Sequence, residues 1–235
     1  MIFREPALVA ASSRRPANMS LNYGPSEGVL DNRKDFLGVL GIDFRRIVCA
    51  RQTHSANVML ASEKDAGRGA LSYDDAVADT DAFVTDRRGL ALAVFTADCL
   101  PVFLYDPLRR AAGIAHAGWK GTQQGIAVKT AALMRREFGS RPADLLAGFG
   151  PSIRQCCYEV GSEFRSYFTC GLAEKNGKYF LDLPGINSKQ LLDYGLKQGN
   201  IHDPRRCTFC EKSEFFSFRR EAASSGRMMS VIMLK

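Results

Sequence analysis

Four short apolar runs between Ala82 and Ala115 constrain the fold of this 235-residue chain more than any other feature. Ala82–Thr85, Leu90–Thr96, Val102–Tyr105 and Ala111–Ala115 are β-prone and too short for ordinary helices. Asp86-Arg87-Arg88-Gly89 and Asp106-Pro107 between them carry turn chemistry. Leu90–Thr96 is apolar almost throughout, as a strand covered on both faces must be. The centre of the chain is therefore predicted to be sheet.

Helical periodicity flanks this centre. Asp31–Leu40 places Phe36, Leu37 and Leu40 on one face and stops at Gly41. Gly121–Phe138 is the strongest helix, with Ile126, Thr130, Leu133 and Met134 on one face and Gly139 as its stop. Gly161–Tyr167 and Ser188–Leu196 also read as helices. Further strands are predicted at Ile47–Ala50 and Asn57–Leu60, around the polar turn Gln52-Thr53-His54-Ser55, and at Leu145–Phe149 and Met228–Met233. This mixed order gives an α+β class. No repeat or low-complexity linker divides the chain, and 46% hydrophobic residues suffice for the core of a single domain over residues 1–235.

Composition removes several function classes. No apolar run approaches the roughly 18 residues of a membrane span. The N-terminal apolar patch, interrupted by Pro6, falls short of the about 7–15 residues of a signal-peptide core, so the expected location is the cytoplasm. Seven cysteines, an odd number, point to reduced thiols rather than a disulfide framework. The net charge of +7 raises nucleic acid as a partner. Its basic residues are dispersed in pairs such as Arg14-Arg15, Arg87-Arg88 and Arg205-Arg206, which describes a solvated surface. Neither nucleic acid nor membrane is expected as a partner.

The chemistry-bearing residues are few. Of three histidines, His202 falls in an expected exposed turn, His202-Asp203-Pro204, and is set aside. His54, Cys99 and His116 each lie where a predicted strand meets a loop, the usual place for a site. Two imidazoles and a thiolate suit Zn²⁺, and three protein ligands leave a fourth place open, as in catalytic zinc sites. The same residues also suit a metal-free hydrolase, with Cys99 as nucleophile and His116 or His54 as base. Cys207 and Cys210 form a Cys-x-x-Cys that is weak for a structural zinc without a second pair. Cys156-Cys157 reads as two packed thiols.

Segments in order along nearly the whole chain resemble the YfiH/YlmD/LACC1 family, labelled "polyphenol oxidase" or "laccase domain" and assigned purine nucleoside chemistry. They are Arg51-Gln52-Thr53-His54, Asp81-Ala82-Phe83-Val84-Thr85, Thr96-Ala97-Asp98-Cys99-Leu100-Pro101, His116-Ala117-Gly118-Trp119-Lys120-Gly121, Gly150-Pro151-Ser152-Ile153 and Cys157-Tyr158-Glu159-Val160-Gly161. Phe215-Phe216-Ser217-Phe218-Arg219-Arg220, Ser225-Gly226-Arg227-Met228 and the early Asn32-Arg33 extend the likeness.

The resemblance implies a single domain of packed mixed sheets with helices outside, an α/β/β/α-like arrangement. It implies a zinc held by His54, Cys99 and His116, with copper as the alternative metal. It also implies phosphorolysis of adenosine, inosine and methylthioadenosine, with adenosine deamination as a further activity. Weak phenol oxidation and editing of bacterial cell-wall precursors are the family's other suggestions. Two positions depart from its pattern: Ser55 replaces a usual Gly, and Glu221-Ala222-Ala223-Ser224 replaces an acidic-glycine turn.

Each activity needs particular groups. Phosphate beneath the ribose needs preorganised cations, for which Arg51 and Lys120 are candidates from their nearness to the ligands. Arg33, Arg219 and Arg227 are candidates from the motifs. Deamination needs a proton shuttle, for which Asp98 is the first candidate. Gln52 is a candidate hydrogen-bonding partner of base or ribose, and Trp119 and Phe218 are candidates to stack on the purine.

Overall fold

The central apolar runs form strands, and the alternation of their side chains builds the core. The structure, a computed structural model, describes residues 2–3 and 5–235. In chain order the elements are β1 (Leu8–Ser12), α1 (Val29–Val39), β2 (Ile47–Cys49), β3 (Val58–Leu60), β4 (Ala82–Thr85), β5 (Ala91–Thr96), β6 (Leu100–Asp106) and β7 (Ala111–Ala117). There follow α2 (Trp119–Gln123), α3 (Ile126–Phe138), β8 (Leu146–Phe149), β9 (Glu159–Val160), α4 (Phe164–Tyr167), β10 (Leu172–Lys175) and β11 (Lys178–Leu181). The chain closes with α5 (Leu183–Tyr194), β12 (Ile201–His202), α6 (Phe218–Glu221) and β13 (Met228–Leu234).

Two mixed sheets stack face to face. One has the order β12-β8-β6-β7-β4-β3 and the other β1-β13-β5-β2. Because strand side chains alternate, Phe103, Tyr105, Ala112 and Ile114 point between the sheets, where they meet Leu92, Val94, Ile232 and Leu234. The intervening Val102, Leu104 and Ala115 point outward onto Ile126, Ala131 and Met134 of α3 and Leu191 of α5. On the other side, Ala91, Ala93 and Val231 meet Leu37 of α1. The layers are thus helix, sheet, sheet, helix in an α+β domain, as the resemblance implied. A third, small sheet, β10-β11-β9, packs with Phe164, Phe168 and Ile186 beside Trp119. Among the described residues no helix is long and apolar enough to cross a membrane.

Some elements differ from the sequence expectation. The predicted Gly121–Phe138 helix is two helices, broken at Gly125, which takes φ 72 in the left-handed region that glycine adopts without a Cβ clash. The helix expected at Ser188 begins at Leu183, after Asp182, whose carboxylate accepts from the Gly185 N–H. Only one turn forms within the predicted Gly161–Tyr167 helix. The strands β1, β9, β10 and β11 were not expected. His202 lies in the edge strand β12, exposed as expected but not in a turn.

Candidate active site

Strand register creates the site at one end of the six-stranded sheet. The antiparallel β6–β7 pair sets Leu100 against Ala117, so Cys99 lies across from Gly118. The β4–β7 pair sets Ala82 against Ala115, bringing Asp81 to His116, whose backbone N–H donates to Asp81 O at 2.7 Å. The turn carrying His54 precedes β3, which runs parallel to β4. His54, Cys99 and His116 thereby each offer one donor atom, all within 4.8 Å of one another. The two imidazole centroids are 4.8 Å apart, with their planes at 74°.

Asp81 organises this cluster, a role that its place in the sequence motif did not disclose. Its carboxylate is fully buried. Oδ1 pairs with His116 Nδ1 at 2.7 Å and accepts from the His54 N–H at 3.1 Å. Oδ2 accepts from the Ser55 N–H at 2.8 Å, the Ser55 hydroxyl at 2.7 Å and the Thr53 N–H at 3.1 Å. One carboxylate therefore shapes the turn that bears one imidazole and orients the other. Ser55, at the position where the resemblance expects Gly, adds a hydroxyl to this arrangement. Burial opposes ionisation of Asp81, but the His116 and Ser55 hydrogen bonds outweigh it and bring its carboxyl down to about 2.

The donor set fits a metal ion. With Nδ1 engaged by Asp81, His116 directs Nε2 toward the cluster, as histidine ligands held by a carboxylate do. Gly118 borders the space between the donors: a Cβ there would stand 3.1 Å from Cys99 Sγ, 3.1 Å from His54 Cδ2 and 3.9 Å from His116 Nε2. Burial opposes ionisation of Cys99, yet its proximity to His116 and His54 lowers the thiol to about 6, favouring the thiolate that metal binding needs. For His116, burial acts to lower the pKa, but Cys99 and Asp81 raise it to about 9.

The cluster opens into a cavity of about 470 Å³ lined by Tyr23, Phe95, Trp119, Tyr158, Phe218, Arg219 and Arg227, among others. Arg227 lies over the Tyr23 ring at 4.3 Å and the Phe218 ring at 5.6 Å. Arg219 lies over Tyr158 at 5.4 Å and donates to Glu159 O. Both arginines thus present charge to the cavity from anchored positions. Phe218, 53% exposed, stands at the mouth. Trp119 also lines the cavity, while its ring stacks on Tyr167 at 5.6 Å and packs on Phe164 at 5.0 Å. Tyr158 and Phe95 were not singled out from the sequence, because an aromatic residue in a loop or strand reads first as core.

Several candidates have other work. Asp98 was expected as a proton shuttle, but its Oδ1 accepts from the Thr208 hydroxyl and its Oδ2 from the Arg219 N–H, both at 2.7 Å. It lines the cavity and holds φ 98, a strained value next to Cys99, so these bonds fix the loop that carries Cys99. Gln52, expected to meet base or ribose, has its amide bound to both backbone groups of Phe95. Arg33 borders the cavity, but it donates to Met19 O, Gly69 O and Ala70 O and lies over Phe95, so it clamps loops together. Arg51 and Lys120 do not line the cavity, and Lys120 is exposed over Trp119.

Comparison with known proteins follows the same architecture. Residues 9–235 match the family described as "Multi-copper polyphenol oxidoreductase laccase". The purine nucleoside phosphorylase YlmD of Geobacillus stearothermophilus is 35% identical over 225 residues, covering 92% of this chain and 82% of that protein. Adenosine deaminase RL5, from an unknown prokaryotic organism, is 35% identical over 216 residues, covering 88% of this chain and 82% of its own. The crystal structure of the Bacillus licheniformis hypothetical protein YfiH superposes with a TM-score of 0.92 at 38% identity, covering 97% of this chain and 93% of that one.

Proposed function

The chain belongs to the laccase-like polyphenol oxidoreductase family, and from that membership and its site we propose that it is a zinc-dependent purine nucleoside phosphorylase that also deaminates adenosine. One observation carries the reading: a single cavity joins the three-donor cluster to two anchored arginines and several aromatic faces. His54, Cys99 and His116 would hold the zinc. Bound there, zinc supplies a Lewis acid with an open coordination place. Arg219 and Arg227 supply positive charge for inorganic phosphate. Phe218, Tyr23 and Phe95 offer faces for the purine. Phosphorolysis forms a bond from a phosphate oxygen to ribose C1′ and breaks the C1′–N9 bond, releasing the purine with a proton on its ring nitrogen. Adenosine, inosine and methylthioadenosine share that bond and are the proposed substrates.

The family description suggests copper, but the donors favour one zinc. Of the chain's three histidines, His202 lies on the edge strand away from the cluster. A centre of several coppers needs more imidazoles than remain. A metal-free cysteine hydrolase is the second reading, favoured by the alignment of Cys99, His116 and Asp81. Such a triad gives His54 no part, whereas a metal uses it.

The test is incubation of zinc-loaded protein with each nucleoside, with and without phosphate, followed by chromatography. The expected products are ribose 1-phosphate or its methylthio counterpart only with phosphate, and inosine from adenosine without it. His54→Ala, Cys99→Ala and His116→Ala should each abolish both activities while the fold persists. Unconsumed nucleosides with zinc-loaded protein would overturn the proposal. Metal-free protein with full activity and rapid alkylation of Cys99 would transfer it to the hydrolase.

A further inference from the structure

The Cys-x-x-Cys that carried little meaning alone meets the vicinal pair in space. Cys156, Cys157, Cys207 and Cys210 have their four sulfurs within 4.8 Å of one another. Cys157 and Cys210 are 3.3 Å apart, Cys156 and Cys157 3.5 Å, Cys156 and Cys207 3.8 Å, and Cys156 and Cys210 3.9 Å. A zinc with four sulfurs at about 2.3 Å requires tetrahedral edges of about 3.8 Å. The spacing is therefore that of a mononuclear tetrathiolate site. It is too tight for an iron–sulfur cluster, whose inorganic core would hold the cysteines farther apart, and no pair is at the roughly 2.05 Å of a disulfide.

The surrounding backbone is built for the same purpose. Cys156-Cys157 occupies a turn after β8 in which the Cys157 N–H donates to Arg154 O at 2.9 Å. Cys207-Cys210 occupies a turn after β12, tied to the first by the Ser152–Cys207 bridge and by the Thr208 N–H to Ser152 O bond at 3.1 Å. Arg220 fastens that turn by donating to Thr208 O and Phe209 O. Hydrophobic burial does not account for the gathering, since Cys156 and Cys210 are exposed.

We infer that Cys156, Cys157, Cys207 and Cys210 bind a second, structural zinc ion, separate from the His54–Cys99–His116 cluster. Binding exchanges the thiol protons for the metal. It would lock the two turns that support the cavity wall. Thr208, beside Cys207, holds Asp98, and Tyr158, beside Cys157, lines the cavity. The inference does not depend on the nucleoside reading.

The test counts zinc in protein purified under reducing conditions without chelator. The wild type should carry two zinc ions per chain. His54→Ala/His116→Ala should keep one, with X-ray absorption showing four sulfurs at about 2.3 Å. Cys207→Ser/Cys210→Ser should lose that one and keep the other. If the cysteine variant does not fold, titration of the histidine variant with a mercurial decides instead, and release of one zinc as four thiols react is expected. A folded histidine variant without zinc, whether its four thiols alkylate freely or are found as disulfides, would overturn the inference. Iron bound to the four sulfurs would overturn the zinc assignment.

Discussion

Asp81 shows how one side chain can set several others, because its two oxygens serve His116, His54, Ser55 and Thr53 at once. Asp81→Asn is expected to weaken zinc binding about 10–100-fold, as loss of a carboxylate behind a ligand imidazole does, measured by chelator competition. The carboxyl is depressed in the folded state, from 3.8 to about 2. Its contribution to stability is therefore present above 3.8 and is lost as the pH falls toward about 2. Thermal melts of the metal-free protein should show a smaller acid-side loss in Asp81→Asn than in the wild type, since Asp203 and Glu211 keep their own depressed carboxyls in both. Gly118→Ala brings a Cβ to 3.1 Å from Cys99 Sγ and His54 Cδ2, and zinc stoichiometry should fall while circular dichroism is unchanged. Ala222 takes φ 49 and ψ −133, a backbone state suited to glycine, at the turn where the resemblance expects one. Ala222→Gly should stabilise the protein by about 1 kcal/mol in urea unfolding, through relief of that strain.

At the level of elements, the strongest signals were unbroken apolar runs and a sustained helical repeat. The β4 and β5 strands follow from short unbroken apolar runs bounded by turns, and the apolar face of α3 from the 3.6-residue repeat. Errors arose where a local backbone choice intervened. Gly125 divides the predicted long helix by adopting a left-handed conformation. The β10–β11 hairpin turns at Asn176-Gly177, with φ 52 and 71, a residue pair that favours such a turn. The strand β1 lies in a stretch whose apolar residues are too few to show a period, and it forms by pairing with β13 from the far end of the chain. A partner more than two hundred residues away leaves no mark on the local sequence.

The whole molecule depends on the contact between its two sheets. Phe103 is fully buried there, facing the opposite sheet. Phe103→Ala should destabilise the fold by about 3–5 kcal/mol, with the loss seen in the urea midpoint. By itself the sequence determined the α+β class, the strands of the central sheet and the small set of residues able to do chemistry, since hydrophobic periodicity and residue type are local properties. Only the tertiary structure decided which of those residues share a site. Register set Cys99 across from Gly118 and Asp81 beside His116. It directed Arg219 and Arg227 into the cavity and tied the polar groups of Gln52, Arg33 and Asp98 at its wall to neighbouring segments. It also gathered four cysteines from two distant turns. The physical reason is that a ligand set or a phosphate site is a matter of distances of a few ångströms between side chains, and strand pairing fixes those distances between segments far apart in the chain.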